Sequence, residues 1–195
     1  YWQAVFAYES GASDKALGIL ATAIGEDRNY VKARLLQARI TLEQTKFTAA
    51  ILQLEQCLKI SPESAEANYL IGLAYFLSHK NSEAKTFLKA AVDKAPGNAE
   101  YTYQLGMVYK SAFQPDKAVE FFERAVKQSP GMAQAWYELA AIYAVAGNTS
   151  KAIDCLENVL RYGKKKFLNA VKNDADFNSL RSDGRYRDAI RKAQQ

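Results

Sequence analysis

The chain has 195 residues, 49% of them hydrophobic, so it can bury a sizeable core and is not a disordered polymer. Four prolines, ten glycines and no apolar run of about 18 residues leave no low-complexity linker and no membrane span. The net charge of +5 is local: residues 1–160 hold 16 Lys and Arg against 17 Asp and Glu, whereas residues 161–195 hold 10 against 4, which weakens any reading of the whole chain as a nucleic-acid binder.

From the N-terminus, Tyr1-Trp2-Gln3-Ala4-Val5-Phe6 lacks the cationic start and apolar stretch of a secretory leader, which leans toward a cytoplasmic chain. The absence of an initiator Met and a start inside a helical pattern point to a truncated beginning. The chain then repeats every 34 residues. Ala16, Ala50, Ala84, Ala118 and Ala152 fall on this step, followed four residues later by Leu20, Leu54, Leu88, Phe122 and Leu156. Tyr75, Tyr109 and Tyr143 keep it, as do Gly72, Gly106 and Ala140, and Pro62, Pro96 and Pro130.

Within the period 65–98, Tyr69, Gly72, Leu73 and Tyr75-Phe76 recur at helical spacing, and Ser78 to Ser82 form a polar turn. A second helical pattern runs through Ala84, Phe87-Leu88, Ala91 and Ala95 before Pro96-Gly97 stops it. Each period is therefore an antiparallel helix pair. Gly72 and Ala84 are expected where the two helices cross, because bulk there would separate the axes.

This pattern resembles the tetratricopeptide repeat, a 34-residue helix-turn-helix. Residues 133–166 carry Trp136, Leu139-Ala140, Tyr143, Gly147 and Ala152 at its signature places; residues 99–132 carry Leu105-Gly106, Tyr109, Ala118, Phe122, Ala125 and Pro130. Residues 31–64 keep Ala50, Leu54 and Pro62, and residues 1–30 fit as a partial repeat. The resemblance implies an all-α, right-handed superhelical solenoid of antiparallel helix pairs over 1–166 (repeats 1–30, 31–64, 65–98, 99–132 and 133–166). Residues 167–195 break the period. Asp174 to Tyr186 look like the segment that closes such arrays, with Ala175 and Gly184 in its two Pro places, so capping helices are expected there to cover an apolar end.

The family binds peptides or helices on the wall made by the first helix of each pair. By that resemblance the groove is lined by Trp2, Leu35, Arg39, Tyr69, Leu70, Leu73, Tyr103, Met107 and Tyr137, together with Tyr1, Val5, Lys32, Leu36 and Ala141, and with Glu66, Glu100 and Glu138 along one margin. The Lys/Asn/Arg clamp that captures chaperone C-termini is missing: Leu35, Arg39, Leu70, Glu100 and Gln104 stand there. The expected partner is another protein or peptide segment with apolar anchors. The tyrosine ladder Tyr69, Tyr103, Tyr137 fits such a ligand, and equally fits a purely structural role.

His79 is the only histidine and falls in a turn, which excludes a histidine triad or a multi-histidine metal site. Cys57 replaces the Ala of other repeats and reads as a small buried thiol; Cys155 is too far along a solenoid to pair with it. No paired carboxylates and no phosphate loop occur, so the chain reads as a non-enzyme without cofactor or metal. Lys164-Lys165-Lys166 with Arg181, Arg185, Arg187, Arg191 and Lys192 reads as a solvated cap, with an anionic partner as the other reading. Two functions stay open: an adaptor holding a protein segment, or the regulatory or substrate-recruiting part of a larger enzyme or secretion machine. Self-association through the groove or the N-terminal edge, where Tyr1 and Trp2 are expected to be exposed, is a third outcome.

Overall fold

The computed structural model describes residues 1–194 and forms two compact units, Tyr1–Pro96 and Gly97–Gln195. The first contains three helix pairs: α1 (Trp2–Glu9) with α2 (Ser13–Glu26), α3 (Val31–Glu43) with α4 (Phe47–Ile60), and α5 (Ala65–Leu77) with α6 (Asn81–Lys94). The second contains α7 (Ala99–Ser111) with α8 (Pro115–Gln128) and α9 (Ala133–Val145) with α10 (Thr149–Gly163). It closes with α11 (Lys165–Asn173), a 3-10 turn over Ala175–Leu180, and α12 (Gly184–Gln194). The described residues are all-α.

Local chemistry places the helix ends. Ser64 Oγ accepts from the backbone N–H of Ala67 at 3.1 Å, and Asn98 Oδ1 from that of Tyr101 at 3.1 Å, so α5 and α7 start on side-chain caps. Pro115 opens α8, where its missing N–H costs nothing. The turn inside every pair ends the first helix with one residue at positive φ: Gly11 (82°), Thr45 (60°), His79 (60°), Phe113 (55°) and Gly147 (74°), each 34 residues apart. Around His79, the N–H of Lys80 reaches the carbonyl of Tyr75 at 2.9 Å and that of His79 the carbonyl of Phe76 at 3.0 Å, satisfying carbonyls the helix leaves open.

The small residues sit where the two helices of a pair touch. A Cβ on Gly72 would lie 2.6 Å from Leu88 Cγ and 3.0 Å from the Leu88 backbone nitrogen; one on Gly106 would lie 2.7 Å from Phe122 Cε1. Leu88 and Phe122 are fully buried, each worth about 1.5–3 kcal/mol of transfer free energy. Glycine here is what lets these larger groups occupy the crossing point. In the first unit the core runs through Ala4, Ala16, Leu20, Ala33 and Ile40, with Leu42, Ala50 and Ala74 beyond.

In the second unit one core joins Ala118, Phe122, Ala140, Ala152 and Leu156 to Val171, Phe177, Leu180 and Tyr186 of the terminal segment. The terminal helices therefore complete the apolar interior of that unit. The turn into them is made by Lys164 at φ 48°, in the place where other repeats carry Pro, and α11 starts directly after it at Lys165. The backbone is bent there by a left-handed residue instead of being stopped by a proline.

Candidate peptide-binding groove

The first helices of the first unit, α1, α3 and α5, present one shared depression of about 300 Å³. It is lined by Tyr1, Val5, Tyr8 and Glu9 from α1 and its start, Lys32, Leu35, Leu36 and Arg39 from α3, and Glu66 from α5. On α1 the lining residues follow the 1, 5, 8 spacing of one helix face. Trp2 and Phe6 lie one residue further, about 100° round the helix, and are 78% and 74% exposed outside this lining. On this helix the depression is bordered by Tyr1, which was expected there, and by Tyr8, which was not. Tyr1 is fixed by its neighbours, its ring centroid 5.4 Å from Trp2 and 5.7 Å from Tyr30.

Polar ties hold the rim. Arg39 donates to Glu66 Oε1 at 2.6 Å, linking α3 to α5 with both side chains about two-fifths exposed. Burial works against the guanidinium's charge, but the Glu66 hydrogen bond and charge outweigh it and raise its pKa. Tyr8 donates to the Glu43 carboxylate; that hydrogen bond, with burial second, keeps the phenol protonated above its usual range. Neither tie was read from the sequence. The one sequence signal for the first is that Arg39 and Glu66 are opposite charges on the first helices of consecutive repeats; their 27-residue separation is not the 34-residue step.

The remaining expected residues divide by surroundings. Leu35 is 8% exposed and still borders the depression, whereas Leu70 is 2% exposed and is withdrawn into the core, so it supports the wall without facing it. Tyr69 is also buried and Leu73 is half-buried beside it on α5; the depression's lining includes neither.

In the second unit, Tyr103 and Met107 are half-buried on α7 and packed against the core, Tyr103 with its ring 5.6 Å from that of Phe122. Burial, then the charges of Glu138 and Glu100, push the Tyr103 phenol up to about 12. Lys110 donates to Glu138 Oε2 at 2.5 Å, tying α7 to α9 as Arg39 ties α3 to α5, at a separation of 28 residues. Tyr137 is taken up by the terminal segment: its ring lies 5.9 Å from Phe167 and 5.4 Å edge-on from Phe177, and its hydroxyl donates to Asp174.

Both cysteines are buried, their thiols pushed up by burial to about 11 for Cys57 and about 12 for Cys155, which makes them poor nucleophiles. Among the described residues no group of three or more His, Cys, Asp or Glu could hold a metal ion, and no helix is long and apolar enough to cross a membrane.

The sequence model for the N-terminal tetratricopeptide repeats region of Psidin matches residues 39–152, more than half of the chain. The chain belongs to this tetratricopeptide-repeat family. No curated protein sequence matches it. Solved structures do. The crystal structure of MamA has a TM-score of 0.72 at 26% identity, covering 84% of this chain and 95% of MamA. YrrB, a tetratricopeptide protein with an unusual peptide-binding site, has a TM-score of 0.69 at 20% identity, covering 89% of this chain and 90% of its own. The pilF protein of Pseudomonas aeruginosa has a TM-score of 0.83 at 16% identity over 98% of this chain and 86% of pilF. Tetratricopeptide arrays are known as repeat scaffolds for protein interaction, and this chain is a protein-interaction scaffold in that general sense.

Proposed function

We propose that this tetratricopeptide array is an adaptor that holds an apolar-anchored segment of another protein against its first helices, with the α1–α3–α5 depression as the main anchoring site. The observation that carries this reading is the composition of that depression: Tyr1, Val5, Leu35 and Leu36 give it an apolar floor, and Lys32, Arg39, Glu9 and Glu66 give it a polar rim. Binding sites that take one or two buried anchors and orient them by a few polar groups have this make-up. At about 300 Å³ the depression matches one or two large side chains. YrrB, on a similar fold, has a peptide-binding site.

Tyr69 and Leu73 on α5, and Tyr103 and Met107 on α7, are the further contacts proposed on their own units. Tyr137 contributes least, because its hydroxyl and ring already serve the terminal segment. A randomised peptide library selected on the full chain should return sequences with one or two large apolar residues. Binding of a selected peptide, followed by fluorescence anisotropy, should weaken at least about tenfold in Val5→Glu/Leu36→Glu, since each charge would be desolvated at the anchor. Unchanged binding by this variant, with its helical circular dichroism intact, would refute the assignment.

A further inference from the structure

We propose that the terminal helices carry a second docking surface, separate from the groove, that takes an acidic segment of a partner protein with an apolar residue among its carboxylates. Of the ten cations of residues 161–195, seven border two depressions of the terminal segment and Lys164–Lys166 border neither. On one side Arg185 donates to Asp154 Oδ1 at 2.7 Å and to Glu157 Oε1 at 3.1 Å, stapling α12 to α10. Arg161 and Lys192 border the same place together with Glu157 and Asp188, so positive and negative groups are mixed there. That side is neutralised by the protein itself.

The other side is not. Lys172 of α11, Arg181 after the 3-10 turn, and Arg187 and Arg191 of α12 surround a depression of about 280 Å³ whose lining contains no carboxylate. Arg191 is partly satisfied by Asp188 at 2.8 Å. Among the described residues no carboxylate lies within ion-pair distance of Lys172, Arg181 or Arg187. The floor is apolar and held in place: Tyr186 is 6% exposed, its hydroxyl donates to the Val171 carbonyl at 2.9 Å, and the half-buried Ile190 lies beside it. Tyr186 and Ile190 pack on the core of the unit, and the edge they leave at the surface lies among the cations, so an acidic segment can use both parts, its carboxylates on the rim and an apolar side chain on Tyr186 and Ile190.

Guanidinium groups suit carboxylates because each can meet both oxygens at once. A nucleic-acid strand is met by a track of cations spaced along its phosphates, and an anionic bilayer by a broad face from which apolar side chains project. Four cations clustered about a shallow two-residue apolar patch are too few for a phosphate track and too small a face for a bilayer, and they match a short peptide.

The probe is a fluorescein-labelled peptide with a Leu flanked on each side by Asp and Glu, titrated with the full chain by fluorescence anisotropy. Its Asn/Gln counterpart, single-stranded RNA and phosphatidylserine-containing vesicles are run alongside. The acidic peptide is expected to bind, to weaken several-fold between about 50 and about 200 mM salt, and to lose about tenfold in affinity in Lys172→Gln/Arg187→Gln. A charge-matched control, Lys164→Gln/Lys166→Gln, which alters exposed lysines outside the depression, should stay within about twofold. Thermal melts of both variants confirm that the fold is kept. Equal losses in the two variants, tighter binding of RNA or vesicles than of the peptide, or no binding of the acidic peptide would each overturn the proposal. Groove variants at Val5 and Leu36 leave this binding unchanged, which keeps the outcome distinct from that of the groove.

Discussion

The five turn residues Gly11, Thr45, His79, Phe113 and Gly147 meet the same backbone demand with different side chains. A left-handed φ costs a residue with a Cβ about 1–2 kcal/mol, so three of the five turns are strained where two are not. Phe113 is 93% exposed, and its replacement removes almost no packing. Phe113→Gly or Thr45→Gly should raise the unfolding free energy by about 0.5–1 kcal/mol, after the greater freedom of glycine in the unfolded chain offsets part of the relief. Gly147→Ala should lower it by about 1 kcal/mol. Urea denaturation with an unchanged slope checks both, and equal stability of all three variants would contradict the strain.

Also at the residue scale, the Tyr137 hydroxyl holds the Asp174 carboxyl below its usual range, aided by the Asp176 backbone N–H and opposed by burial. A depressed carboxyl contributes stability that is present above its unfolded pKa of about 3.9 and is lost as pH falls through the lower folded value. The difference in melting temperature between the native chain and Tyr137→Phe should therefore be largest near neutral pH and shrink below about pH 4. A difference constant from pH 3 to pH 7 would remove this hydrogen bond from the account.

At the scale of elements, the helix pairs and their crossing points were legible because they rest on residue size. Gly72 and Gly106 recur at 34 and face Leu88 and Phe122 at distances a Cβ could not share. Gly106→Val should destabilise the second unit by about 1–3 kcal/mol through overpacking against Phe122. The terminal helices were legible as a cover, since Phe177, Leu180 and Tyr186 are buried as expected. Phe177→Ala should cost about 3–5 kcal/mol by leaving a cavity in that shared core. Both values are read from denaturant midpoints, and a near-neutral Phe177→Ala would mean that the terminal segment is not part of the core.

What escaped the sequence at this scale are interactions between neighbouring first helices. The Arg39–Glu66 and Lys110–Glu138 pairs depend on side-chain reach across two elements, and the 27 or 28 residue offset carries no hydrophobic period to mark it. Tyr8 went unread for a similar reason: the partial repeat marks α1 as a first helix, but which of its residues border the depression depends on how it packs on α3. The strained turns went unread because Thr, His and Phe give no sign of left-handed backbone.

For the whole molecule, the net charge of +5 describes neither unit in isolation, because the excess resides after residue 160. The depression among α1, α3 and α5, whose rim carries two cations and two carboxylates, and the cationic depression around Tyr186 use different physics. Ligand binding at the first should be nearly independent of salt, and at the second should weaken as the Debye length shortens. Backbone amide chemical shifts of the full chain, recorded as a library-selected apolar peptide is added, decide whether the first helices of the first unit hold the ligand. The largest changes are expected on α1 and α3, centred on Val5, Leu36 and Arg39; changes concentrated on second helices or on the terminal segment, with α1 and α3 unmoved, would rule out the groove as the anchoring site.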